Sequence, residues 1–201
     1  GSKTMTFGKS KARMINPQDK ARVTFKDVAG VDEEKEELEE IVEFLKNPRK
    51  FTDMGARIPK GVLLVGQPGT GKTSIIKKLI HDNPTVEFVI FGQDLLADIS
   101  DGKLFDFLSE HKQHVFIIED CEKLFTDRNN GNKFLSSMLN LTDGIVGEAF
   151  GIKFLCTFNC PKSKIDQAVL REGRLSLIYE FKKLTLDKTK ELMPTATEPM
   201  T

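Results

Sequence analysis

The 201-residue sequence is long enough to bury one core of respectable size, and it contains no long apolar run that reads as a membrane span or a signal peptide. Thirty basic and thirty acidic side chains cancel to a net charge of zero, so no overall field argues for wrapping nucleic acid or lying on an anionic membrane. Cys121, Cys156 and Cys160 are odd in number and two lie in apolar runs, which reads as buried thiols in a reducing cytosol; His81, His111 and His114 form no zinc-ligand spacing with them.

Gly1-Ser2 reads as a cloning scar. Residues 3–22, "KTMTFGKSKARMINPQDKAR", are basic and polar without sustained periodicity, so they are expected to form a flexible linker or arm, with order beginning near Val23. In "DEEKEELEEIVEFLKNP", Leu38, Ile41, Val42 and Leu45 fall at i, i+3, i+4 and i+7, acids crowd the first turn and Pro48 follows, which predicts an amphipathic helix. Five short apolar runs come next: 61–66, 86–91, 114–120, 152–159 and 175–181. Rich in Val, Ile and Phe and spaced for crossover helices, they predict central strands of a five-stranded, mostly parallel sheet with helices on both faces, an α/β domain spanning 23–186. The tail, residues 187–201, is expected to be flexible, and no internal repeat is visible.

The first of these runs leads into "VGQPGTGKTS". Gly66, four residues, then Gly71-Lys72-Thr73 match G-x-x-x-x-G-K-[ST], with "GVLLV" before as the strand and "SIIKKLI" after as the helix. Glycines let the backbone bend around a cluster of oxygens with its N–H groups turned inward, and the following helix adds its positive end. The expectation is a cradle for a nucleotide triphosphate tail made of Gly66, Gln67, Pro68, Gly69, Thr70, Gly71, Lys72, Thr73 and Ser74. Lys72 reaches the β- and γ-phosphates, and the Thr73 hydroxyl ligates Mg²⁺.

Hydrolysis needs a second, acidic element at a neighbouring strand tip, and "HVFIIEDCEKL" supplies Glu119 and Asp120 where open α/β sheets bind ligands. One carboxylate would hold the Mg²⁺ shell, the other polarise the attacking water. Asn159, at the end of the run through Thr157, puts an amide near the γ-phosphate. Arg171 and Arg174 read either as a solvated surface pair with Glu172 or as fingers reaching a neighbouring subunit's nucleotide, and beside the other motifs the fingers are the better reading.

With these residues in place, the chain from 23 to about 186 resembles the AAA family of ring-forming ATPases: the Gly66–Thr73 loop looks like its Walker A motif, Glu119-Asp120 stands at its Walker B, Asn159 at its sensor 1, and Thr157 to Arg174 is similar to its second region of homology. Residues 3–66 look closely like the ATPase module of the FtsH family of membrane-anchored proteases, whereas the stretch from about Gln67 onward looks like stand-alone AAA ATPases of bacteria and phages. That change of character inside the loop reads as a chimera, engineered or arising by natural recombination. The resemblance implies that the backbone groups of Val28 and Ala29 bind the adenine edge and that Glu119 joins Thr73 at the metal. The usual carboxylate order in the family is Asp then Glu; here it is inverted, which puts the shorter Asp120 in the water-activating position. No aromatic pore-loop pattern stands in "GQDLLADISDGKLFDFL", H-E-x-x-H is absent, and the chain ends before a helical lid, so protein threading is in doubt and proteolysis is not expected.

The reading is therefore a Mg²⁺-dependent ATPase domain that binds ATP or ADP, with Glu119, Asp120, Asn159, Arg171 and Arg174 catalytic. It would be the cytoplasmic motor module of a protein-remodelling machine that pairs with copies of itself in a hexamer, weak in isolation, with nucleic acid not among its expected partners. The alternative is a non-catalytic scaffold that nucleotide merely stabilises. Phosphate release separates the two.

Overall fold

The structure is a computed structural model, and it describes residues 4–7, 10–14, 40, 43, 44, 46, 47, 50, 61–92, 101–122, 151, 153–165 and 177–183. The described strands are β1 (Thr4–Phe7), β2 (Ser10–Met14), β3 (Gly61–Gly66), β4 (Phe88–Phe91), β5 (Val115–Ile118), β6 (Lys153–Phe158) and β7 (Leu177–Phe181); the described helices of a full turn or more are α1 (Lys72–Asp82) and α2 (Asp101–Glu110). They form one sheet in the order β1-β2-β4-β5-β6-β3-β7.

The five expected apolar runs are the five parallel strands, β4-β5-β6-β3-β7. Every residue of β3, β5 and β6 is buried, which is why these strands read as continuous apolar runs: helices cover both faces and no position is left for a solvent-facing side chain. On one face, Ile75, Ile76, Leu79 and Ile80 of α1 pack on Val62, Leu64, Val115, Ile117 and Leu155. Burying those four α1 side chains contributes on the order of 6–12 kcal/mol before chain entropy is counted. That outweighs the helix-propensity deficits of Thr73, Ser74, Ile75 and Ile76, which are a few tenths of a kcal/mol each. On the other face, Phe107 of α2 meets Phe91 and Phe116 with ring centroids 5.4 and 6.1 Å apart, and Phe116 meets Phe154 at 5.8 Å. His111 joins this cluster by stacking on Phe107 at 4.2 Å.

Glu40, Glu43, Phe44 and Lys46 are helical, as the amphipathic pattern predicts, while Leu38, Ile41, Val42 and Leu45 lie outside the described residues. Phe44, not part of the expected stripe, is fully buried in the α1-side core. The Tyr179 hydroxyl donates to Glu40 Oε2 at 2.8 Å, fastening this helical segment to β7.

The arm expected to be flexible departs from its reading. Its residues 4–7 and 10–14 form an antiparallel hairpin, and β2 then pairs antiparallel with β4, Ala12 facing Phe91 and Met14 facing Val89. The physical reason is β4 itself. Without β2, its four apolar residues would present an unpaired row of N–H and C=O groups at the sheet edge.

Register fixes where the strands end. Val65 of β3 lies beside Phe158 of β6, and Ile118 of β5 lies beside Cys156 of the same strand. The segments leaving β3, β5 and β6 therefore emerge side by side on one edge, with β3 between β6 and β7 although its helix leads to β4, three positions along the sheet. That reversal of direction opens a crevice at the carboxyl ends.

Candidate nucleotide site

The loop leaving β3 is shaped by its glycines. Gly66 has φ 148° and a Cβ there would run into the Phe181 carbonyl of β7, so the position requires glycine. Gly69 and Gly71 also have positive φ, 79° and 89°. The Gly66 N–H donates to the Cys160 carbonyl at 3.1 Å, tying the loop to the segment after β6. Gln67, Pro68 and Gly69 are exposed, so the loop rim is open to a ligand.

Lys72 is 5% exposed, and its ammonium donates to the carbonyls of Gly66 and Gln67 at 2.9 and 2.8 Å and to Thr70 Oγ1 at 3.2 Å. The Thr70 hydroxyl donates in turn to the Gln67 carbonyl at 2.8 Å. Burial holds the Lys72 pKa below its ordinary 10.5, while the carboxylates of Glu122 and Asp120 act against that shift. Lys72 opens α1 after Gly71; no side chain caps this helix end and its first turn carries no acid. The first N–H groups of α1 and its positive end are thus available to an anion.

The acidic tip of β5 faces this loop. Glu119 Oε1 accepts from the Thr73 hydroxyl at 2.9 Å, across 46 residues of sequence. Asp120 has a left-handed φ of 55°, and its N–H donates to Thr157 Oγ1 at 3.0 Å. The next N–H, of Cys121, donates to the Thr157 carbonyl at 2.8 Å, so Thr157 clamps the turn with both its oxygens. Asn159 Nδ2 donates to Asp120 Oδ1 at 2.5 Å and to Glu122 Oε1 at 3.4 Å, and the Asn159 N–H donates to Glu122 Oε2 at 3.0 Å.

Of the sequence-predicted site residues, the structure brings together Gly66 to Ser74, Glu119, Asp120 and Asn159. Val28, Ala29, Arg171 and Arg174 lie outside the described residues. Two participants are absent from the predicted set. Glu122 is the third acid of "EDCE", and Thr157 is a hydroxyl buried in an apolar run, which by itself signals a hydrogen-bonding duty. Cys121 and Cys156 are buried, as their apolar context predicts, and burial pushes the Cys121 thiol well above its usual pKa; Cys160 is half-buried.

Residues 62–183 match the model of the ATPase family associated with various cellular activities, AAA, over well more than half of the chain. The chain belongs to the AAA family. This AAA domain is 45% identical over 188 residues to the ATP-dependent zinc metalloprotease FtsH 1 of Thermoanaerobacter sp. (strain X514), covering 86% of the chain and 30% of that relative. It is 38% identical over 202 residues to the ATP-dependent zinc metalloprotease FtsH of Bacillus subtilis (strain 168), covering 94% of the chain and 30% of that protein. Both alignments run through Gln67 to either side of the loop. The chain spans about a third of the length of the curated relatives it matches. It is an AAA ATPase domain homologous to the FtsH ATPase module, with an ATP- and ADP-binding fold. Among the described residues, no helix is long and apolar enough to cross a membrane.

Proposed function

We propose that the AAA domain hydrolyses the β–γ bond of ATP with Mg²⁺, and that the contact of Thr73 Oγ1 with Glu119 Oε1 at 2.9 Å carries this reading. It brings two hard oxygen donors together between the phosphate cradle and the acidic strand tip. Two adjacent ligands of an octahedral Mg²⁺ are themselves about 2.9 Å apart, so the donor set fits that ion. Among the described residues no three His, Cys, Asp or Glu side chains are grouped to hold a metal, and Mg²⁺ needs no such cage where phosphates and water complete its shell. Mg²⁺, when bound, supplies charge neutralisation on the phosphate oxygens.

In this reading Lys72 and the N–H groups of residues 66–74 hold the polyphosphate, and Thr73 and Glu119 hold the metal. Asp120 accepts a proton from the attacking water as the water oxygen bonds to the γ-phosphorus and the bridging P–O bond breaks. Asn159 orients that carboxylate through its 2.5 Å contact. From the sequence, Val28 and Ala29 supply backbone contacts to adenine, and Arg171 or Arg174 reaches the nucleotide of a neighbouring copy in a hexameric ring. The domain then serves as the motor of a protein-remodelling machine like FtsH, on the cytoplasmic side of a membrane-anchored parent. Turnover in isolation is slow, and the chain, without H-E-x-x-H, has no protease activity of its own.

The inverted acid order supports a second reading, a scaffold that binds nucleotide without turnover. Phosphate release under single-turnover conditions decides between them. Asp120→Asn should lower the rate by about 10²- to 10⁴-fold while ADP affinity, measured by titration calorimetry, is retained. Equal release by both proteins would sink the hydrolytic reading.

A further inference from the structure

We propose that Glu122 is a positioning residue that fixes the Asn159 amide against Asp120. The proposal rests on the hydrolytic reading above but stands on its own contacts. Glu122 accepts from both donor nitrogens of one residue: the Asn159 main-chain N–H at 3.0 Å and its Nδ2 at 3.4 Å. One carboxylate therefore sets where the Asn159 backbone sits and how its amide is turned.

The consequence falls on the neighbouring contact. The Asn159 amide carries two N–H hydrogens on Nδ2, and an acceptor on each side, Asp120 Oδ1 at 2.5 Å and Glu122 Oε1 at 3.4 Å, fixes both the ring of contacts and the amide's flip state. With Nδ2 turned to two carboxylates, the amide oxygen points away from them. Without Glu122 the amide can rotate and the Asp120 carboxylate loses a fixed partner. The strand register makes this possible: Ile118, the last residue of β5, lies beside Cys156 of β6, which runs two residues further, so a residue four beyond Ile118 and one three beyond Cys156 meet above the sheet edge. Glu122 is also a negative charge that favours the Lys72 ammonium against burial, so its removal takes away support for the charged lysine as well as repulsion toward a polyphosphate.

Glu122→Ala and Glu122→Gln are compared with wild type in three measurements: steady-state phosphate release for kcat and KM, ADP affinity by calorimetry, and the Asn159 backbone and side-chain amide signals in ¹⁵N-correlated NMR spectra. The expected result is a fall in kcat on the order of tenfold to a hundredfold in Glu122→Ala, the size a slight misplacement of a reacting group produces. KM for ATP and ADP affinity stay close to wild type, because the two charge effects of removing Glu122 oppose each other. Glu122→Gln, which keeps an acceptor for the main-chain N–H, recovers part of kcat, and the Asn159 signals move in both variants. Unmoved Asn159 signals in Glu122→Ala overturn the proposal, as does an unchanged kcat with moved signals. A loss of ADP affinity in both variants also overturns it, because it marks general loosening of the site. If wild type binds ADP but releases no phosphate, the hydrolytic reading fails, and the NMR comparison in the same samples still decides whether Glu122 holds the amide.

Discussion

Replacing Gly66 by alanine separates two costs that are usually mixed, when it is compared with the same change at Gly71. At Gly66, φ is 148° and the new Cβ meets the Phe181 carbonyl, a backbone atom of β7 that the Gly66–Phe181 register holds in the ladder. At Gly71, φ is 89° and a Cβ meets nothing within 4 Å. Both positions incur a conformational penalty of about 1–3 kcal/mol for a non-glycine residue in a sparsely populated region. Only Gly66 adds a steric term, about 1–3 kcal/mol for forcing extra volume into packed surroundings. Gly66→Ala should therefore lose about 2–6 kcal/mol and Gly71→Ala about 1–3 kcal/mol, against a total stability of about 5–15 kcal/mol for a domain of this size. Urea unfolding followed by circular dichroism reads both, and the slope of the transition should be unchanged if the native and unfolded states keep their exposed areas. Equal losses for the two variants, or a Gly66→Ala protein within about 0.5 kcal/mol of wild type, would refute the claim that the approach of β7 is what demands glycine at the loop entrance.

Two further outcomes follow from the same geometry. Burial holds the Lys72 pKa below 10.5, so as pH rises through that lowered pKa the free protein loses the ammonium that the proposed polyphosphate cradle needs, and ADP affinity should fall with pH; calorimetry should show a flattened profile in Lys72→Met and a loss of affinity on the order of tenfold or more. The stability sign is opposite: the unfolded chain binds the proton more tightly than the folded one, so unliganded wild type should gain stability as pH rises through the lowered pKa toward 10.5, and Lys72→Met should lack that gain. Removing residues 1–14 strips β1 and β2 from the edge of β4, and light scattering at elevated temperature should show earlier association than in the full chain; unchanged scattering would mean that the hairpin does not protect that edge.

How far the sequence could be read depended on how local each piece of physics was. The phosphate loop was legible because its chemistry is confined to consecutive residues: glycines for bending, Lys72 and Thr73 at the helix start. The parallel strands were legible because burial on both faces leaves an apolar run with nothing to interrupt it, as in "GVLLVG". The hairpin was not, because "TMTF" and "SKARM" mix polar and apolar residues and owe their strand state to β4, some 75 residues away; the two-residue Gly8-Lys9 spacer was the one local cue. Phe44 escaped because several apolar residues compete for one helical stripe and only the packed partner decides among them. The Glu122–Asn159 contact escaped for a stronger reason: it spans 37 residues and exists only because parallel pairing sets Ile118 of β5 beside Cys156 of β6.

The inverted order of Glu119 and Asp120 takes on a physical sense in this geometry. Glu119 just reaches the Thr73 hydroxyl at 2.9 Å; an aspartate there, shorter by one methylene or about 1.5 Å, would open that contact unless the backbone moved. In the proposed hydrolytic reading Asp120 has the opposite problem, a short arm in the position that would act on water. Its left-handed φ of 55°, clamped by Thr157, sets how its carboxylate is presented, and Asn159 meets it at 2.5 Å. Each acid is thus matched to its place by a neighbour that compensates its length: the extra methylene at 119 by the distance to α1, the missing one at 120 by an amide that Glu122 supports from behind. Exchanging the two acids alone would then fail on both counts, since the swap leaves the Thr73 contact too long and crowds the Asn159 amide.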